Sequence, residues 1–431
     1  MTIYKNIGIT FGIQPDNIKK IHNIISNQLN YKQLDDINKI IVFTNGFLYN
    51  AISLYNQLSI MNESNVYNNN PILLMDSNTY SLFKEIKKIF KKYNKNNKQF
   101  IFDFFNINFE LFNAESISQI DFLIELDRIN HDVLDFKDIR IINPNIKIIA
   151  YKITNEYTLL NNNFVFNTKM KNSISHDVFY YKNQYDYIIE INNHYADCYL
   201  LYQNMFQFNN GKINSHIDFT YDYRILDFFD KKRFLNKEEL NIAICESNIT
   251  YGKTFLNSLL LAELLYKKIK QDNLNINIGK IYLFNCKYIQ NNKSFLNILH
   301  ELTLFKDNKI IIENEYCYFI DLVKKYHINT VISLNQNNDM NYLYFDCFQY
   351  KINLIHNSMS LNNIINENNL IDLFYYNHNN PNKSISDILF NLSDINDTKY
   401  QMICNTCLDN VSVFNLKNNL ILKDIFNDID K

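Results

Sequence analysis

Asn341-Tyr342-Leu343-Tyr344-Phe345-Asp346-Cys347-Phe348-Gln349-Tyr350-Lys351-Ile352-Asn353-Leu354-Ile355-His356-Asn357-Ser358 is the stretch that decides the fold class. It reads as a helix, a short turn and an apolar strand that stops abruptly at three polar residues. In α/β proteins, ligands gather at the carboxyl ends of strands. The helix start at Asn341 and Tyr342 offers backbone N–H groups suited to a phosphate. Asp346 lies about one and a half turns further along, where a carboxylate can accept hydrogen bonds from ribose hydroxyls. The competing reading of Asp346 is a solvent-facing helix charge. His356 alone would read as a satisfied strand-end histidine, but the run His356-Asn357-Ser358 marks a strand end that faces something polar.

The same strand–helix grammar extends in both directions. Upstream in the second half, strands are expected at Leu240–Cys245, Lys280–Asn285, Lys309–Ile312, Thr330–Leu334 and Ile352–His356, with helices between them. In the first half, strands are expected at Asn6–Phe11, Ile40–Thr44, Pro71–Met75, Phe100–Phe104, Phe122–Leu126, Ile146–Tyr151 and Tyr187–Ile191. Each is a continuous apolar run rather than an alternating one, as expected when helices cover both faces of a parallel sheet. The charged segment FFDKKRFLNKEE at 228–239 interrupts the pattern and places the linker. The expectation is α/β: two Rossmann-like domains facing a cleft, of GT-B type, with a C-terminal helical tail. The domains span 1–236, 237–400 and 401–431, the last a helix packing back toward the N-terminal domain. Some epimerases and periplasmic binding proteins share this outline, so topology by itself implies only a ligand between two sheets.

Composition narrows the function classes. The chain has 431 residues and 47% hydrophobic residues, enough for two cores. It has only six Gly, four Pro and no Trp, while residues with AT-rich codons abound. An AT-rich genome, bacterial or that of a large DNA virus, produces this bias. The net charge of −2 argues against a nucleic-acid binder. A lysine-rich stretch at Lys84–Lys98 reads as a solvated helix face, or as a patch for anionic glycans, lipid head groups or peripheral membrane contact. The seven cysteines are scattered, and the lone CxxC at Cys404 and Cys407 lacks the second ligand pair that zinc needs. With neither a signal peptide nor an apolar run of ~18 residues, the expected location is the cytoplasm, or the host cytoplasm for a viral chain.

Three further segments can carry chemistry. Cys245-Glu246-Ser247-Asn248-Ile249-Thr250-Tyr251-Gly252-Lys253-Thr254 joins a strand to a helix. It ends like a P-loop, but Ser247 stands where the first Gly is required, which excludes that reading. Lys253 and Thr254 can still bind a diphosphate, or Lys253 can be an ordinary solvated loop residue. Asn45-Gly46 opens a helix and places scarce glycine where a backbone approaches closely or simply turns. Glu125 and Asp127 close the strand Phe122–Leu126, with His131 nearby, and either carboxylate can serve as general base. Asn155-Glu156-Tyr157 and His194 follow later strands. The one Asp-x-Asp, Asp428–Asp430, sits at the chain end, which favours a route without a metal.

These residues together resemble the bacterial proteins of domain-of-unknown-function family 2827, which look like GT-B glycosyltransferases. The family's NYLYLEALYLGYPLIHNS is similar to Asn341–Ser358, with Asp346 in place of a Glu that holds the donor ribose in many GT-B enzymes. Its EPN…KT pattern is matched by Glu246, Asn248, Lys253 and Thr254. The chain departs from LGYP, reading Tyr350-Lys351-Ile352-Asn353, and from the family's Pro at Ser247. The resemblance implies transfer of a sugar from a nucleoside-diphosphate donor to a glycan, lipid-linked or protein acceptor, with no cofactor or metal. Donor contacts would come from Glu246, Lys253, Thr254, Asn341, Tyr342, Asp346, His356, Asn357 and Ser358. Asn45, Gly46, Asn155 and Glu156 would lie on the acceptor side, with Glu125 or Asp127 as base. A nucleotide-sugar-binding scaffold without turnover is the alternative, and an epimerase or hydrolase a third reading.

Overall fold

A computed structural model describes residues 4–10, 15–26, 31–43, 46–93, 99–126, 134–152, 185–190, 198–202, 204, 212–214, 220–229, 239–246, 253–287, 289–314, 317–336, 340–393 and 397–430. The chain forms two compact units, Met1–Asp222 with Val411–Lys431, and Tyr223–Asn410. Each holds one parallel sheet with helices in the connections, so the class is α/β with two Rossmann-type sheets.

The first unit carries β1 (Lys5–Thr10), β2 (Asn69–Met75), β3 (Phe109–Leu111), β4 (Phe122–Glu125), β5 (Lys147–Lys152), β6 (Tyr187–Glu190) and β7 (Lys212–Asn214), in the spatial order β3-β2-β1-β4-β5-β6-β7. Every pairing is parallel. Register aligns Ile9 with Ile124 and Ile124 with Ile149, so one face is a continuous aliphatic layer. The opposite face packs Leu74, Leu123, Ile148, Ala150 and Ile188 against Phe136, Ile139 and Tyr202. Two expected strands are helices instead. Of Ile40–Thr44, Ile40–Phe43 is the end of helix Tyr31–Phe43, where Leu34, Ile37 and Ile41 recur at helical spacing and are buried, and Thr44 lies outside the described residues. Phe100–Phe104 is a single helical turn, Ile101–Phe104, that docks Phe100 and Phe102 on Phe83. A short apolar run has no period of its own, and tertiary packing chose the helix in both cases. The edge strands β3 and β7 have three residues each, too short to stand out in the sequence.

The chain's last helix, Leu416–Asp430, completes this first unit. Phe426 stacks on Tyr67 and touches Phe122, with ring centroids 5.2 Å apart in both cases. Gln57 Nε2 donates to Asn419 Oδ1 at 2.9 Å. The segments that leave and re-enter the unit lie side by side: Tyr221 N–H donates to Val411 C=O, and Val413 N–H donates to Tyr221 C=O.

The second unit carries β8 (Leu240–Ile244), β9 (Ile278–Leu283), β10 (Ile310–Ile312), β11 (Thr330–Ser333) and β12 (Asn353–His356), ordered β10-β9-β8-β11-β12 and parallel throughout. All five strands fall where the sequence pattern places them. Strand order reverses between β8 and β11, and the ends of those two strands form the topological switch point. Helix Phe255–Gln271 is buried along most of its length. Its inward Glu263 accepts from Thr303 N–H and Leu304 N–H at 2.8 and 3.0 Å, and so caps the next short helix.

Scarce glycine has a structural counterpart. Among the described residues, eight non-glycine residues have positive φ, and six of them are Asn. Asn tolerates the left-handed region better than other side-chain-bearing residues. The seventh is His327, and the eighth is Lys351, at φ 57°, where the resembling family has Gly. Lys351 ends helix Tyr342–Tyr350 with its N–H directed at Phe348 C=O, and Ile352 N–H donates to Cys347 C=O. The turn therefore survives without its glycine, at a conformational cost of about 1 kcal/mol. Lys351→Gly is expected to stabilise the protein by about 1 kcal/mol in urea unfolding, and a destabilised variant would refute that account of the turn.

Candidate functional site

The site is built at the carboxyl ends of β8, β11 and β12. β8 leads into Cys245 and Glu246, and Asn285, just past β9, donates from Nδ2 to both of their carbonyls at 3.2 Å. This bracing holds the Glu246 backbone while its side chain reaches across the switch point. There Ser333 Oγ, at the end of β11, donates to Glu246 Oε1 at 2.7 Å. Asn335 Nδ2 donates to Ser333 Oγ and to the Tyr344 hydroxyl, both at 2.9 Å. One chain of hydrogen bonds thus links β8, β11 and helix Tyr342–Tyr350.

Electrostatics at this point are unusual. Glu246 is buried, and burial raises its carboxyl pKa to about 7, although the Ser333 hydrogen bond and the Lys253 charge pull the other way. Burial likewise lowers the Lys253 ammonium, with Glu246 opposing. A carboxylate and a lysine whose burial pushes each toward its neutral form are the kind of pair found at functional sites. Lys253 precedes Thr254, the N-cap of helix Phe255–Gln271. The Thr254 side chain makes no cap bond, so it leaves the first-turn N–H donors of that helix uncovered by a side-chain cap. Ser258, one turn in, accepts from Leu334 N–H at 2.9 Å and ties this helix to the end of β11.

The remaining donor-side residues divide. Asp346 is 6% exposed, which overturns its reading as a solvent-facing charge. Asn341 is the N-cap of its helix and accepts from Leu343 N–H at 3.2 Å; Tyr342 begins the helix and is half-buried. His356 is turned inward: Nδ1 accepts from Ser358 N–H, and Nε2 faces Asp372 Oδ2 at 3.1 Å. Both ring nitrogens thus face groups of the chain itself. Ser358 caps helix Met359–Glu367 through Leu361 N–H. Asn357 grips Asn335 at both ends, accepting from its N–H at 3.0 Å and donating to its C=O at 2.9 Å. Ser333, Asn335 and Tyr344 were not singled out by the sequence. The signal was present, since VISLN at 331–335 ends in polar residues just as LIHNS at 354–358 does.

In the first unit, Glu125 is buried at the carboxyl end of β4, opposite Thr10 of β1. These two residues straddle the point where the seven-stranded order reverses. Glu190 ends β6 in the same way and is fully buried; YIIE at 187–190 repeats the pattern of FLIE at 122–125. Lys152, its register partner, lies over the Tyr185 ring. Gly46 begins helix Gly46–Glu63. Asn45, Asp127, His131, Asn155, Glu156, Tyr157, His194 and the loop 247–252 lie outside the described residues. Of the lysine stretch, Lys87 pairs with Asp103 at 2.8 Å, while Lys84, Lys88, Lys91 and Lys92 are exposed. Cys404 and Cys407 are buried in helix Asp397–Val411, and burial raises the Cys404 thiol to about 12, the behaviour of inert core thiols. Among the described residues, no helix is long and apolar enough to cross a membrane.

Several solved structures are similar at low identity. Sucrose-phosphate synthase from Thermosynechococcus elongatus is 8% identical, with 99% of each chain covered and a TM-score of 0.44. The trehalose-6-phosphate synthase OtsA is 10% identical, again with 99% of each chain covered, at a TM-score of 0.45. A TarM mutant from S. aureus, in complex with fondaparinux, α-GlcNAc-glycerol and UDP, is 13% identical at a TM-score of 0.41. The match covers 72% of this chain and 55% of TarM, so the chain spans a little over half the length of that protein. No curated protein matches in sequence. The profile of the family described as protein of unknown function DUF2827 matches residues 84–423, and the chain belongs to that family.

Proposed function

We propose that the five-stranded unit binds a nucleoside-diphosphate sugar, and that the protein is a glycosyltransferase that passes the sugar to a glycan, lipid-linked or protein acceptor without a metal. The observation that supports this most directly is the buried Glu246 at the switch point, charge-coupled to Lys253 at the start of helix Phe255–Gln271. Lys253 and the first-turn N–H groups suit a diphosphate, and the helix dipole adds to them. Asp346 suits the ribose hydroxyls. The same lysine and dipole would stabilise charge on the departing diphosphate, the role a metal plays elsewhere. In the seven-stranded unit, Glu125 is the proposed base toward an acceptor hydroxyl. The exposed Lys84, Lys88, Lys91 and Lys92 suit an anionic acceptor or lipid surface.

Thermal unfolding with UDP, GDP, TDP, CMP and ATP, with and without Mg²⁺, tests the donor site. A ligand at ~100 times its dissociation constant adds about 2.7 kcal/mol, an easily read rise in melting temperature. One diphosphate is expected to give that rise without metal. Lys253→Ala and Asp346→Ala are each expected to weaken it by about 10-fold or more, the loss of one charge-assisted contact. No rise with any nucleotide sinks the proposal. A nucleotide sugar that binds and is never consumed, whatever acceptor is offered, would identify a binding protein instead.

A further inference from the structure

Asn335 follows β11 and is 5% exposed. Its backbone is held at both ends by Asn357, and its amide nitrogen uses both hydrogens, on Ser333 Oγ and Tyr344 hydroxyl. Ser333 has a single hydroxyl hydrogen, which goes to Glu246 Oε1. The serine oxygen accepts from Asn335 Nδ2, so the amide nitrogen, and not the carbonyl oxygen, faces it. Asn335 Oδ1 is directed away from both partners, and among the described residues nothing donates to it. A buried carbonyl oxygen without a donor is costly, and a ligand that supplies one recovers that cost.

We infer that Asn335 Oδ1 accepts a hydrogen bond from a hydroxyl or amide N–H on the sugar portion of the donor, which makes Asn335 a specificity-determining residue for nucleotide sugar over nucleotide. This rests on the donor-site reading above. Phosphate oxygens are anionic acceptors with no hydrogen to offer, so an amide carbonyl oxygen repels them. They belong instead beside Lys253. A sugar brings the opposite chemistry, several donors and no charge. A site with a buried acceptor also rejects ligands that lack the matching donor more strongly than an apolar pocket rejects a misfit.

Calorimetry with UDP and UDP-glucose, and with GDP and GDP-mannose, decides the matter for the wild type, Asn335→Leu and Asn335→Asp. Leucine matches the volume and removes the acceptor. Aspartate keeps an acceptor oxygen and removes the amide hydrogens. In Asn335→Leu, affinity for the nucleoside diphosphate is expected to stay within about 3-fold, and affinity for the nucleotide sugar to fall about 10-fold or more. Asn335→Asp is expected to keep the sugar preference. Equal loss on both ligands in the leucine variant, or no loss on either, overturns the inference. So does an aspartate variant that loses the preference, because it keeps the acceptor oxygen and lacks only the amide hydrogens. If the leucine variant does not fold, the aspartate variant decides alone. A wild type that binds neither member of any pair overturns the donor-site reading, and this inference with it.

Discussion

Removing Val411–Lys431 is expected to unfold the unit that carries the seven-stranded sheet and to leave the sheet of Tyr223–Asn410 folded. The removed segment buries Val411, Val413, Leu422, Ile425 and Phe426. At about 1.5–3 kcal/mol for each buried side chain, the loss is on the order of 10 kcal/mol, as large as the stability of a typical domain. It also strips Phe426 from Phe122 and Tyr67, and Asn419 from Gln57. Amide hydrogen exchange read by mass spectrometry separates the outcomes. Protection should vanish from β1, β4 and β5 and persist in β8, β11 and β12. Full protection in both sheets would show that the terminal helix is dispensable.

The second large effect belongs to Glu246. Its carboxyl titrates at 4.5 when unperturbed and at about 7 in the fold, because it is buried. The unfolded chain therefore releases this proton at lower pH than the folded chain does. Stability tied to the held proton is complete below pH 4.5 and is lost as pH rises through about 7. The interval corresponds to about 3 kcal/mol. Glu246→Gln keeps an acceptor for Ser333 and never ionises. At pH 8 it should be more stable than the wild type by about 3 kcal/mol, with most of that gap closed by pH 5. Urea titrations at the two pH values measure it. A gap of the same size at both would show that ionisation at this position costs the fold nothing.

The sequence carried the second sheet almost whole, because each of its strands is an apolar run cut off by polar residues. It carried less of the first sheet. Ile40–Thr44 looked like a strand because four consecutive apolar residues hide the helical spacing that Leu34 and Ile37 reveal only in a longer window. The site was legible where a residue stood out from its surroundings. Glu246 and Asp346 are charges in apolar company, and Lys253 follows one of the few glycines. Asn335 was not legible because Asn is this chain's commonplace surface residue, and a buried one looks no different in the sequence. Nor could the sequence show that His356 lies beside Asp372, since their proximity depends on where the chain returns after helix Met359–Glu367.

The adjacent backbones of Tyr221 and Ser412 also bear on biosynthesis. Translation delivers all seven strands of this sheet early, yet the helix that covers Phe122 emerges only after Tyr223–Asn410. Meanwhile the whole of Tyr223–Asn410, contiguous in sequence, is made and free to fold. The unit begun first is therefore finished second, and the part of its sheet that Phe426 covers stays bare while Tyr223–Asn410 is synthesised. Ribosomes that stall or terminate early on this message would release chains with one finished unit and one exposed apolar sheet, the form most prone to aggregate and most in need of chaperones.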